Sequence, residues 1–534
     1  MALNQEQFEA LVKRLETFAR EQPQNYKLRV GLLAALGYAY LYLVIVGLSL
    51  IVFGIGCIAL HTLGFRTFSL DGYVVLVPLL IILESMWGRL PRPEGRKLNR
   101  EEAPQLFAAV KKLSSTLKAP FPEEILITTE FNASVVQRSR LGIFGWQQNY
   151  LLLGLPLMQA LSPEQFCAVL AHELAHLSGN HSRFGGYIYR VRKNWVQVQK
   201  ELKHSILFDP FLNWYIPFFE AYSFVLARMN EYEADRCAAQ VVGPKNMAEA
   251  LINVEIRNHF LEYSFWPHVS RQLNEQAEPP SSMYTHMLNT LGLELAFQDA
   301  ERWFHQALKQ QTNTQDTHPC LSERLSALGL RSDWQPELPP STVVIEVSSA
   351  HHFLESAVEP LTNHFNESWK QEVSMTWQER HHYLQESKKS LLRLEEKAQH
   401  QVLTEEEAWE RAYWTAELQE RQQAIPLLQE ILFVNPEHVC ANYMLGEIFL
   451  EQENIAGIAL LEKAMALDPE ISLSGNELIY CFHRRQGKQE EANRYLNRIE
   501  QHQILLTKVS QERSSISDRD HFKSHHLSDS EIVK

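Results

Sequence analysis

From Val30 to Phe65 the chain carries no charged side chain, and Gly31 to Leu60 is dense in Leu, Ile, Val, Ala and Tyr. About 20 apolar residues in a helix cross a bilayer, so this run predicts a span with tilt to spare. It starts too late and runs too long for the apolar region of a cleavable signal peptide. A second apolar run, Gly72 to Trp87, holds Pro78 inside and Glu84 near its end. Trp87 and the basic stretch from Arg89 to Arg100 have the pattern of an interfacial anchor. The expectation is a transmembrane hairpin over residues 30–88; the alternative is a single span with a partly buried second helix. Lys13, Arg14, Arg20, Lys27 and Arg29 precede the first run, Arg89, Arg92, Arg96, Lys97 and Arg100 follow the second, and only Arg66 lies between. That asymmetry places residues 1–29 and everything after the hairpin on the cytoplasmic side of a plasma or inner membrane.

Beyond the hairpin, the pattern predicts a fold that is mostly α with a small β-sheet. Residues 94–332 read as one α+β domain, with a helix over Ala103–Leu117 and extended stretches at Glu124–Thr128, Ala133–Gln137 and Asn149–Leu153. Pro336, Pro339 and Pro340 mark a boundary. Residues 349–420 are helical and charged, a solvated connector. Over residues 421–500 a repeat appears: Asn435-Pro436 and Asp468-Pro469 stand 33 residues apart, against a period of about 34 for tetratricopeptide units. Tyr443-Met444-Leu445-Gly446 and Ala464-Met465-Ala466-Leu467 fall inside the same frame, and Gly487 with Ala492 fits a further degenerate unit. The segment resembles a tetratricopeptide array, stacked helical hairpins that present a concave face to a protein partner. A generic helical bundle is the alternative. Residues 501–534 form a tail, polar and expected to be disordered from Ser510 onward.

Composition narrows the chemistry. A formal net charge of -14 with no long basic block argues against a nucleic-acid partner. The six cysteines are scattered without a Cys-x-x-Cys pair, which fits a reducing compartment and leaves His and carboxylate as the metal ligands.

Ser162-Pro163-Glu164-Gln165 is a helix start: Ser162 caps, Pro163 suits the first helical position, and Gln165 completes a capping box. Phe166, Leu170, Leu174 and Leu177 then form an apolar stripe, and Gly179-Asn180 is the expected end. The other face carries His172 and His176, which at i, i+4 project side by side and can share one tetrahedral ion. Glu173 stands one step round, within reach of a water on that ion. Chance alone yields about 0.1 His-Glu-x-x-His pentapeptides in a chain of this composition. The context of two His and a Glu on the polar face of a capped apolar helix is therefore what strengthens the reading, since such a trio is costly to bury without a metal.

The third ligand has two candidates. One class takes a His six residues after the second ligand. Here that position is Ser182, and His181 stands one residue early, about 100° away round a helix. Another class takes a Glu from a later helix. Glu231-Tyr232-Glu233-Ala234-Asp235 offers one, read as a helix start in which Glu231 and Asp235 share a face. Glu231 would bind the metal and Asp235 would orient a ligand histidine through its other ring nitrogen. Glu233 suits a solvated position.

These motifs together resemble the membrane-associated gluzincin peptidases, the group that includes HtpX and the CAAX prenyl endopeptidase. The resemblance runs over roughly residues 95–330 through Asn132-Ala133, Val169–His176, Arg228-x-x-Glu231-x-x-x-Asp235, and His318-Pro319 with Arg324. Ala227 departs from the Ser that often precedes the Arg, and membrane helices are expected only at the N-terminus, so prenylated substrates are not carried over. The resemblance implies one zinc ion on His172, His176 and Glu231, with Glu173 as general base and polypeptides as substrates. It implies that Asn132–Val136 is an edge strand that pairs with substrate, and that His318 or Arg324 stabilises the oxyanion or braces the fold. A role in membrane-protein quality control follows from the family alone. The rival readings are a repeat-based binding scaffold with an inactive peptidase fold, and a membrane scaffold with structural zinc.

Overall fold

The computed structural model describes residues 5–63, 92–139, 147–178, single positions between 184 and 195, then 208–293, 295–312, 318–329, 346–499 and 501–502. The second apolar run at Gly72–Trp87, the expected helix end at Gly179-Asn180, His181 and Ser182, the Pro336–Pro340 boundary and the tail from Ser510 lie outside them. The chain forms two compact units. The first comprises Met1–Phe265, Ser281–Leu308 and Thr312–Ser368; the second comprises Trp266–Pro280, Lys309–Gln311 and Trp369–Lys534.

The first unit opens with helices α1 (Gln5–Glu21) and α2 (Pro23–Leu63). Although α2 is apolar on all sides over most of its length, Tyr26, Val30, Ala34 and Leu41 form a buried stripe at helical spacing. That stripe packs with Val12, Leu15 and Ala19 of α1 into the same core as Leu212, Tyr215 and Phe219. Of residues 1–29, the described ones from Gln5 on are thus built into this unit, and α2 begins well before the uncharged run, at Pro23. Gly37 is the close-approach point: a Cβ there would meet Tyr215 Oη and Trp195 at 2.5 Å.

A four-stranded mixed sheet follows, from β1 (Arg96–Lys97), β2 (Glu124–Thr128), β3 (Ala133–Ser139) and β4 (Gln147–Gly154), in the order β1-β2-β4-β3. Helix α3 (Pro104–Leu117) separates β1 from β2. β2 and β4 run parallel, while β3 lies antiparallel to β4 at the sheet edge. β4 passes into the short helix α4 (Leu155–Ala160) and then α5 (Pro163–Ala175). Ser162 caps α5 with the full capping box to Gln165. Phe166, Leu170 and Leu174 are fully buried, and Leu177 nearly so. The buried Asn253 amide donates both to Ala160 O (2.9 Å) and to Gln165 Oε1 (3.1 Å), which fixes the corner from which α5 departs.

Helix α6 (Asp209–Val242) corrects one sequence expectation. Glu231 does not start a helix; it lies in the last third of this one. The acidic cluster looks like a first turn, but Leu212, Tyr215, Ile216 and Phe219 upstream bury a helical stripe that carries the helix through Pro217. α7 (Pro244–Phe260), Met283–Gly292, Phe297–Lys309 and the short α8 (Leu321–Ala327) complete the surroundings of the site. The expected connector over 349–420 is divided. Its first part belongs to this unit, where Ser349 N–H donates to Leu161 O (2.9 Å) and Phe353 packs on Phe166.

The second unit is helical. Glu405–Leu418, Ile425–Val434, Val439–Glu451, Ala456–Leu467 and Ser472–Arg485 follow one another with short connections. Asn435 and Asp468 make the same turn after their helices, each side chain accepting from the N–H two residues on (3.0 and 2.9 Å). Val439–Glu451 and Ala456–Leu467 meet at Gly446 and Gly457, where a Cβ on Gly457 would stand 2.4 Å from Gly446 O.

Gly154 anchors the edge strand: its N–H donates to Asn132 O, and a Cβ on it would stand 1.8 Å from Glu130 O. Both obstacles are backbone, so Gly154→Ala is expected to cost about 1–3 kcal/mol or more. A thermal midpoint of the full-length variant equal to wild type would contradict this crossing.

Candidate metal centre

Three helices and one strand converge here. His172, itself buried, lies on the face of α5 turned toward α6, and His176 closes that helix as its C-terminal cap, where the last turn tightens. α6 packs along α5 and presents Glu231 to both rings. His172 Nε2 and His176 Nε2 are 3.2 Å apart, and the Glu231 oxygens stand 3.6 and 3.3 Å from them. Metal bonds of about 2.0–2.1 Å in a tetrahedral array separate ligand atoms by about 3.3 Å. The Glu231 distances end on different oxygens, and one ligand atom from each of the three residues lies within 4.8 Å of the others, close enough to share one ion. Among the described residues, these three form the His/Cys/Asp/Glu group able to hold a metal.

The surrounding charges point the same way. Asp235, with no exposed surface, accepts from His172 Nδ1 at 2.8 Å, leaving Nε2 turned toward the other ligands. Arg324 of α8 clamps Asp235 with two parallel bonds, Nε to Oδ2 at 2.8 Å and Nη2 to Oδ1 at 2.6 Å. His318, whose side chain is 54% exposed, places Nδ1 2.6 Å from Glu231 Oε2. Burial opposes charge on His172, but the Asp235 and Glu231 carboxylates outweigh it and hold the imidazole up at about 9. Burial likewise opposes charge on Asp235, yet Arg324 and His172 pull its carboxyl down to about 2. Glu231 is held well below the usual carboxylate range against its burial, by His172, His176 and His318. The two buried carboxylates are met by Arg324 and by the charged His172 imidazole, the positive charge that a metal ion at these residues would replace.

Glu173, half-buried and next to His172 on α5, accepts from the Val135 N–H of β3 at 3.2 Å. Asn132 and Gly154 share a ladder bond in register, so alternate residues Ser134 and Val136 face β4. Ala133, Val135 and Gln137 then turn their backbone groups to the free edge, toward Glu173. The Asn132 side chain accepts from the Ala133 N–H (2.9 Å) at the start of that edge.

His172, Glu173, His176, Glu231, Asp235, His318 and Arg324 are thus brought into one cluster, although they come from three separate stretches of chain. Glu233 is turned away and pairs with Lys27 of α2 at 3.7 Å. Sequence reasoning missed the Val135 contact, a backbone group with no residue signature. It also missed the partners of Arg228, Glu16 and Glu323, because a single charged residue on a helix gives no sign of which distant carboxylate it meets.

Arg324→Ala leaves Asp235 buried with its main partner gone, and a loss of about 3–5 kcal/mol is expected. Equilibrium urea unfolding of the full chain measures it, and a variant as stable as wild type would refute the clamp.

No curated protein matches the chain. Residues 101–332 match the model of Peptidase family M48. The stretch that supplies every residue of this centre is the stretch similar to that family, which makes it a peptidase-type domain.

Proposed function

We propose that this protein is a membrane-anchored zinc endopeptidase. The observation that carries the reading is the His172–His176–Glu231 group, whose ligand atoms lie within 4.8 Å of one another and suit a tetrahedral ion with one position left open. Structural zinc is normally closed by four protein ligands; a catalytic ion has three and a free site. Bound here, zinc would polarise a scissile carbonyl and lower the pKa of a water to about 7.

The chain's own residues do the rest. Glu173 takes the proton of the attacking water and passes it to the leaving amine. An extended polypeptide adds to the β3 edge through the backbone of Ala133, Val135 and Gln137. As it pairs, it competes for the Val135 N–H and frees Glu173 for the reaction. Asp235 fixes the tautomer and orientation of His172. Arg324, with both forks of its guanidinium on Asp235, acts as a brace, and the more exposed His318 is assigned the oxyanion contact.

The anchor rests on α2. Among the described residues, Pro23–Ile51 is the helix long and apolar enough to cross a bilayer. Opposite its buried stripe, Leu28, Leu32, Leu36, Tyr42, Leu43, Leu50 and Ile51 are 45–67% exposed, a face suited to lipid. α2 and α6 run antiparallel, with Tyr26 stacked on Tyr222 and Tyr215 donating to Leu33 O. Glu231 follows Tyr222 by about 13 Å along the helix axis, so the centre would work close to the membrane, on the cytoplasmic side given by Lys13, Arg14 and Arg20. That position suits polypeptides at the bilayer surface and a part in membrane-protein quality control. The paired helices of residues 405–485, with their matching turns at Asn435 and Asp468, are assigned as tetratricopeptide-like repeats that recruit a protein partner.

Glu173→Gln is expected to lower hydrolysis of an unfolded polypeptide by about 10²–10⁴-fold while one zinc per chain remains by elemental analysis. Wild-type rates in that variant would sink the proposed base, and wild-type protein without zinc would sink the metal.

A further inference from the structure

Arg228 has no part in the chemistry above, yet it pairs with two carboxylates close to the centre. It stands one turn before Glu231 on α6, on the face that also carries Tyr232 and Asp235 at i+4 and i+7. Its side chain is only 13% exposed and meets two carboxylates from distant parts of the chain. Nη1 reaches Glu16 Oε1 of α1 and Nη2 reaches Glu323 Oε2 of α8, each at 2.5 Å. Glu323 Oε2 also accepts from Tyr232 Oη (2.8 Å) and Thr312 Oγ1 (2.9 Å), and Thr312 Oγ1 in turn accepts from the Cys320 N–H (2.7 Å).

These bonds matter because of what α8 carries. The residue after Glu323 is Arg324, which clamps Asp235 against His172, and the same segment places His318 on Glu231. A helix of seven residues does not hold its own position, since helices below about 12–15 residues are marginal without tertiary contacts. Beside the Arg324–Asp235 clamp and the buried Leu321 and Leu325, Glu323 is a second ionic tie to α6. Arg228, in turn, lies within i, i+3 reach of Glu231. Loosened by loss of either carboxylate, its guanidinium would gain Glu231 as a competing negative partner, and a guanidinium bound there would compete with a metal ion.

We propose that the Glu16–Arg228–Glu323 pairs couple the N-terminal helix to the metal centre: Arg228 is a positioning residue, and seating of α1 keeps α8 in place and keeps Arg228 off Glu231. The helix that leads into the apolar α2 is then part of the working site. The coupling makes metal affinity respond to how α1 is seated, through residues that touch neither metal nor substrate.

This inference rests on the zinc reading above, and the test separates the two. Full-length wild type, Glu16→Gln, Glu16→Asp, Tyr232→Phe, Glu323→Gln and the double variant Glu16→Gln/Glu323→Gln are titrated with zinc against a chromogenic chelator. Measurements are made well below the melting temperature, with helix content checked by circular dichroism. Glu16→Gln is expected to bind zinc about tenfold more weakly, with kcat lowered and KM within about twofold of wild type. Glu16→Asp should recover most of the loss. Tyr232→Phe, which removes one uncharged bond and is the mildest change, should move affinity in the same direction. The double variant should be no worse than the poorer single variant, as expected for one coupled unit. Zinc bound equally by wild type, Glu16→Gln and Tyr232→Phe would overturn the coupling alone, as would losses that multiply in the double variant. Wild type that takes up no zinc would overturn the zinc reading and the coupling with it.

Discussion

A single buried carboxylate organises the first unit. Asp235 has no solvent contact, and an ionised group so placed costs several kcal/mol unless its charge and lone pairs are met. Arg324 meets it from α8 and His172 from α5, so three helices must come together before Asp235 is satisfied. Once they do, His172 has its tautomer, Glu231 lies one turn back on the same face as Asp235, and His176 follows on α5. The metal triangle is a by-product of solving that electrostatic problem.

Local physics was legible in the sequence where one stretch of chain decided it. Ser162, Pro163 and Gln165 specify the start of α5 through bonds to neighbours within four residues. Phe166, Leu170 and Leu174 mark the buried side by their period, which leaves His172 and Glu173 for the working side. The strand limits at Glu124–Thr128 came through for the same reason, with β-branched residues between turn signals. Glu231 shows where this fails. Its acidic cluster resembles a helix start, but the helix is carried from Asp209 by a stripe whose partners lie in α1 and α2, some two hundred residues earlier. The reach of Glu16 to Arg228 was invisible for that same reason: a salt bridge between distant elements leaves no pattern in either one.

The apolar N-terminal helix shows how one composition can serve two purposes. Hydropathy marks residues 30–65 as uniformly apolar and cannot say which side faces protein. Tyr26, Val30, Ala34 and Leu41 turn toward α6, and Gly37 lets Tyr215 and Trp195 come close. The leucines opposite stay exposed. In the anchoring role proposed for it, a helix that is also a wall of the core would hold the domain at a fixed height and rotation, which a flexible tether would not.

The bond between Glu173 and the Val135 N–H has a consequence for the protein's own solubility. Among the described strands β3 is the outermost of its sheet, and open edges invite strands of other molecules to add indiscriminately. A carboxylate seated on the Val135 N–H of that edge would act as a stopper against idle pairing. Only a strand that offers enough new bonds to displace it can dock. The residue that would do the cutting is also the one that decides how good a strand must be before it is admitted.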